Sequence, residues 1–481
     1  MLRSNTPTTA AIWSFIGTFS TQLVGLIIGM VLARLLTPSD YGTVALMSIF
    51  ISISSVIIDS GFSNALIRKK DRTLEDLDTA FIFNVCVSIV CYFILFVSAP
   101  LIAAFFSEPI LTKLIRIVGV NLIFSALCSV QNALLTSNLN IRRQTFISIS
   151  SQIPSGLIAI FMAYWGWGLY ALIIQTICAS VVNVILLWKK TNWYPRLIFN
   201  KESFLYLWGF GSKLVLANII GTIFDRIYSV IIGKFFSVKD LGYYGKASSL
   251  DDNSTSITRG IVSKVALPVL ARNQENIDLL RNDFREMMRL LVMILAPLSA
   301  FLFFNSDNII IILFSKKWIE SSVYFRLLVI GSMWLPISQL SQLLMHAVNR
   351  TDIILKLEIP KKVLYIVYIL IGLNFGIIGL CLSQIVINIS AAIINMLPTY
   401  SILRYNYFAQ MFDVVKYMII AYTCGFLVNF LQLTEFLFIN VFIFILFFFP
   451  LYYLLLYLIK DKIAKKYEDK IFEKMNISFF K

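Results

Sequence analysis

Charge is what this chain most lacks: 14% of its 481 residues are Asp, Glu, Lys or Arg, against 58% apolar, where soluble domains carry about a quarter charged residues. That balance excludes a soluble fold. Histidine occurs once, as His346, and cysteine six times, with no Cys/His spacing that would hold a metal, so no metal centre is expected. All six cysteines fall inside apolar blocks, which predicts free thiols rather than a disulfide framework. No GxxxxGK[ST] phosphate loop occurs. The connections between apolar blocks are too short to house a glycosyltransferase, a nucleotide-binding domain or the extracytoplasmic active-site loop of a polymerase or ligase. An enzyme is therefore not expected, nor a cofactor.

What is present is a succession of apolar blocks of roughly 20 residues, each long enough to cross a bilayer as a helix. They are continuously apolar rather than alternating, which predicts helices and not a barrel. The fold class is all-α and polytopic, with about fourteen transmembrane helices. Predicted spans include those near 42–66, 113–136, 241–265, 286–313 and 360–374. The first block, about 11–36, is too long for a signal-peptide core and reads as an uncleaved span. Basic residues concentrate on one side, at Arg68, Lys69 and Arg72, at Arg142 and Arg143, at Lys189, Lys190 and Arg196, and in the tail from Lys460. The positive-inside rule then places both termini in the cytoplasm. A net charge of +15 is thereby accounted for by topology and anionic membrane lipids, without nucleic acid.

The segment Ala33–Gly42, ARLLTPSDYG, recurs in altered form at Gly233–Gly242, GKFFSVKDLG, 200 residues on. Each copy joins a long first helix to a Ser- and Asn-rich second one. Duplication predicts an N-terminal six-helix lobe over 1–200, a like-oriented lobe over 201–405, two additional helices over 406–460 and a basic tail over 461–481. Two such lobes around a central cavity are the geometry of a rocking transporter. A simpler reading of the motif is turn chemistry, with Asp capping the following helix.

Charged groups inside a membrane are costly unless they face water or a partner, so their positions mark function. The span at 241–265 is far too polar to face lipid. Ser248, Asp252, Ser256, Arg259 and Ser263 recur at i, i+4, i+8, i+11 and i+15, one helix face. With Lys246 on the same span and Lys213 and Arg226 on the preceding one, they form a candidate cation-rich site. Ammonium and guanidinium groups suit a diphosphate. Internal pairing with Asp225, Asp251, Asp252 and Asp59 is the structural alternative. Asp59, in the first half, is a candidate for ion coupling or for closing a gate.

The stretch Trp13–Gly42, with ARLLTPSDYG, followed by DSGFSNALIRKKD from Asp59 to Asp71, resembles the Wzx-type polysaccharide flippases. The branch it is most similar to is that of the colanic-acid exporters, within the multidrug/oligosaccharidyl-lipid/polysaccharide superfamily. The resemblance implies two six-helix lobes around a V-shaped cavity, alternating access and a bacterial inner-membrane location. It implies a cargo of undecaprenyl diphosphate carrying a glycan unit for surface polysaccharides such as O-antigen, and polysaccharide polymerase or assembly proteins as partners. It also implies that the two last helices could hold a lipid tail. A multidrug/cation antiporter and a peptidoglycan-precursor flippase share the fold; a mixed, partly basic residue set counts against the antiporter.

Overall fold

The computed structural model describes residues 7–59, 61–69, 71–191, 193–430, 436–461 and 465. The described residues form helices and connecting turns, without a strand. In chain order the helices are α1 (Pro7–Leu35), α2 (Pro38–Asp59), α3 (Phe62–Arg68), α4 (Leu74–Phe106), α5 (Ile110–Val118) and α6 (Asn121–Ser137). Then come α7 (Ile141–Tyr164), α8 (Leu169–Lys190), α9 (Lys201–Phe235), α10 (Val238–Arg272), α11 (Ile277–Phe304) and α12 (Ser306–Phe314). The last are α13 (Glu320–Ser332), α14 (Trp334–Ala347), α15 (Thr351–Leu373), α16 (Gly376–Leu403), α17 (Tyr407–Asn429) and α18 (Leu437–Leu458).

Twelve helical segments among the described residues are long and apolar enough to cross a membrane. Two further long helices, α10 and α15, lie outside that set and carry several charges each, so the twelve compare with about fourteen spans expected from the apolar blocks. Several expected spans are not single helices. That near 42–66 is α2 followed by α3, and that near 113–136 is α5 followed by α6. The span expected over 286–313 ends at Phe304, where the Asn305 amide donates to the Phe301 carbonyl at 3.1 Å and α12 starts afresh. A side-chain amide that competes for the last carbonyls of a helix favours a break there.

The chain divides into two compact units, Met1–Gly245 and Lys246–Lys481, so α10 begins in the first and continues in the second. In the first unit α1 packs on α7 and α7 on α8 through small residues. A Cβ on Gly156 would collide with Ile28, and Ala159 and Ala171 are wholly buried beside them. A second cluster joins α3, α4 and α9, where the Phe62 and Phe83 rings stack at 4.1 Å. At the same end Asp76 closes a capping box with Thr73 and pairs with Lys69 at 2.7 Å. Asp78 accepts from the Arg196 backbone N–H at 3.1 Å, which ties the 191–200 connection to α4.

Both copies of the repeated motif form the same capping box. Thr37 Oγ1 donates to Asp40 at 2.7 Å and Ser237 Oγ to Asp240 at 2.6 Å, and each Asp backbone N–H donates back. Turn chemistry therefore explains the Ser/Thr and Asp positions. The glycines serve a different purpose. A Cβ on Gly42 would strike the Val238 carbonyl, and one on Gly242 would strike the Pro38 carbonyl. Positions 38 and 238, like 42 and 242, are equivalent in the repeat. The contact, which lies wholly within the first unit, is its own image when the two copies are exchanged.

In the second unit α17 and α18 share one core with α11. Phe284, Met288 and Val292 descend α11 at four-residue spacing, as Phe444, Phe448, Tyr452 and Leu456 descend α18, all essentially without exposure. Asp413 of α17 accepts from Arg285 at 2.8 Å and Arg289 at 2.6 Å of α11, and from the Tyr405 hydroxyl. Tyr405 lies between α16 and α17. Burial first, and then the Asp413 carboxylate, hold its hydroxyl above the usual range, so it stays a donor.

Candidate functional site

The 35 residues of α10 would extend about 52 Å at 1.5 Å per residue. Within the second unit its buried stripe is Ala247, Asp251, Thr255, Val262, Ala266 and Leu270. The predicted stripe lies away from it: Asp252 and Ser263 are exposed, and Ser248, Ser256 and Arg259 half-buried. Most of its hydroxyls are satisfied locally. Ser254 Oγ donates to the Asp251 carbonyl at 2.7 Å, Ser256 Oγ to Asn253 at 3.1 Å and Ser263 Oγ to Arg259 at 3.0 Å. This back-bonding satisfies the hydroxyls within the helix itself, while slightly weakening it. Asp251 is anchored inside the unit, accepting from Ser332 Oγ at 2.6 Å, and Gln339 donates to Ser263 Oγ at 2.6 Å.

The four predicted cations are in different settings. The Lys246 ammonium lies over the Phe314 ring, 4.4 Å from its centroid, and 5.8 Å from that of Trp318. Such a cation–π contact suits an ammonium held out of water. Arg259 has no carboxylate within ion-pair distance among the described residues, and the same is true of Lys213 and Arg226, both exposed on α9. Lys246 and Arg259 are 13 positions apart on one helix, as are Lys213 and Arg226, a separation of about 20 Å along the axis. Neither pair can grip one diphosphate. Within its own helix each cation is a separate contact point. The Asp59 side chain, the proposed coupling or gate group, lies outside the described residues.

A further charge cluster, which hydropathy alone does not single out, sits on α15. Lys361 Nζ donates to Glu358 at 2.5 Å and to Asn395 Oδ1 of α16 at 3.2 Å, and Asn395 donates in turn to Ser338 Oγ of α14 at 2.6 Å. Hydropathy puts these groups at the edge of a span near 360–374, whereas the helix begins at Thr351. The signal in the sequence is the charge run Lys356, Glu358, Lys361, Lys362, which has the look of a boundary. Likewise Arg285 falls in a connection by hydropathy, but α11 starts at Ile277, two turns earlier. Among the described residues no group of His, Cys, Asp and Glu could hold a metal ion.

Comparison with known proteins gives a consistent set of similarities. The family described as "Polysaccharide biosynthesis protein" matches residues 31–323. The chain is 24% identical to the teichuronic acid biosynthesis protein TuaB of Bacillus subtilis (strain 168), over 66% of this chain and 66% of that one. It thus spans just under two thirds of that relative's length. It is 23% identical to the lipopolysaccharide biosynthesis protein WzxC of Escherichia coli (strain K12), over 80% of this chain and 78% of that one. Among solved structures, the lipid II flippase MurJ in an inward closed conformation superposes with a TM-score of 0.76 at 16% identity. That match covers 92% of this chain and 98% of that one.

Proposed function

The chain belongs to the polysaccharide biosynthesis protein family, and on that premise we propose that it flips an oligosaccharide linked to undecaprenyl diphosphate from the cytoplasmic to the periplasmic leaflet. The observation that carries this reading is α10. A helix with Asp252, Ser256, Arg259 and Ser263 on its unburied side, among helices most of which are apolar enough for lipid, would line water or a polar cargo. Arg259 is the cation best placed to meet a phosphate, being half-buried and not ion-paired, whereas Lys246 already has aromatic partners. Lys213 and Arg226 would act as further contact points as the cargo moves.

Alternating access is supported by similarity of fold to a flippase structure. An inner-membrane location with both termini cytoplasmic is supported by the one-sided basic residues, and surface-polysaccharide assembly proteins are the partners it would serve. The chain supplies a route and charge compensation, and no bond is made or broken. The test is the lipid pool of a strain lacking the gene. Undecaprenyl-linked glycan should accumulate on the cytoplasmic side and be cleared by the wild-type gene. Arg259→Ala should clear it about tenfold more slowly, as expected when one charge-assisted hydrogen bond to the cargo is removed. A strain with no accumulated glycan would refute the proposal.

A further inference from the structure

The first unit holds a half-open pocket of about 320 Å³ whose wall mixes polar and apolar side chains and carries no charge. One side is α6, where Asn121, Ser125, Ser129, Asn132 and Thr136 line it. Their spacing of i, i+4, i+8, i+11 and i+15 is that of one helix face, and it repeats the spacing of the polar stripe on α10. Across the cavity stand Ser55 of α2, Ser63 of α3 and Ser180 and Asn183 of α8, with Ile51 and Phe124 supplying apolar surface. Of its fourteen lining residues none is an acid or a base.

Part of this polar wall is braced by the protein itself. Ser129 Oγ accepts from Asn84 Nδ2 at 2.8 Å and donates to the Ala126 carbonyl at 2.8 Å. Part is not: Ser63 Oγ and Asn121 Oδ1 are buried with no hydrogen-bond partner among the described residues. Orphaned buried polar atoms are rare in native folds and point to a missing partner. Hydroxyls and amides can both donate and accept, so they match a ligand that does the same. A neutral polyhydroxylated ring fits that description, with its C–H face against Phe124. The volume lies at the low end of small-molecule sites, about 300–1,000 Å³, which limits the occupant to little more than one ring.

We propose that this cavity binds one uncharged glycosyl unit of the cargo, so that the first unit reads the glycan while cations elsewhere meet the phosphates. The inference rests on the transport reading above. Its test uses the full chain in lipid nanodiscs with the methyl glycosides of glucose, galactose and N-acetylglucosamine as probes, read by saturation-transfer NMR. At least one glycoside should give a signal in the wild type that falls about tenfold in Ser125→Leu and in Asn183→Leu, as expected when hydrogen bonds to a sugar are removed. Should a leucine variant not fold, Ser125→Ala and Asn183→Ala take away the same hydrogen bonds without adding volume. No signal from any glycoside, or an undiminished signal in the variants, overturns the proposal. In the deletion strain, glycan accumulation rescued equally by wild type and Asn183→Leu also overturns it and leaves transport standing. A strain without accumulation overturns the transport reading itself.

Discussion

At the scale of single residues, burial separates charges that hold the molecule together from charges left over for a ligand. Asp413 is 1% exposed and takes three donors, from Arg285, Arg289 and Tyr405. Removing it strands two guanidinium groups, although Arg285 is 42% exposed and regains water. Asp413→Ala should therefore cost about 1–3 kcal/mol and lower the thermal unfolding midpoint of the purified protein. Asp352→Ala, at the exposed pair with Arg350, should leave it nearly unchanged. Equal midpoints for the two variants would show that Asp413 does not anchor α17 to α11. None of this is legible in the sequence, because pairing between positions 124 or 128 residues apart leaves no periodic trace. The polar face of α10 is legible, because its five positions share one helix and one period.

At the scale of elements, hydropathy identifies the helices and misses their breaks. Composition over a window of about 20 residues cannot register an interruption of one or two residues, as between α5 and α6 or at Asn305. The charged helix α15 starts earlier than hydropathy places it for the related reason that charge inside a span resembles a span's edge. The polar stripe of α6 has the same signature as that of α10 but lacks charge, and so does not stand out. The capping residues of the repeat are its visible feature, whereas its glycines carry the tighter constraint. Gly42→Ala and Gly242→Ala each force a methyl group against a backbone carbonyl, at a cost of about 1–3 kcal/mol. Gly209→Ala, where nothing lies within 4 Å of the added carbon, should be neutral or slightly stabilising. Unfolding midpoints for the three variants check this. A neutral Gly42→Ala would mean that the crossing of α2 and α10 is looser than it stands here.

At the scale of the whole molecule, twelve candidate spans among the described residues, a duplicated motif and membership of the polysaccharide biosynthesis family point the same way. The described residues are almost all helical, and the reading proposed above is movement of a cargo past those helices. The amphipathic cargo proposed here would draw on each class of surface described: apolar helix faces for its lipid, separate cations for its phosphates and a neutral polar cavity for its sugar. The decisive measurement is reconstitution. Proteoliposomes holding the purified chain and an undecaprenyl-diphosphate-linked glycan with a fluorescent label would be challenged with a membrane-impermeant quencher. With protein present, nearly all the label should become quenchable, whereas protein-free vesicles should lose only the outer-leaflet half. If the protected half persists in vesicles shown to contain folded protein, the chain does not move lipid-linked glycan across a bilayer and the account fails.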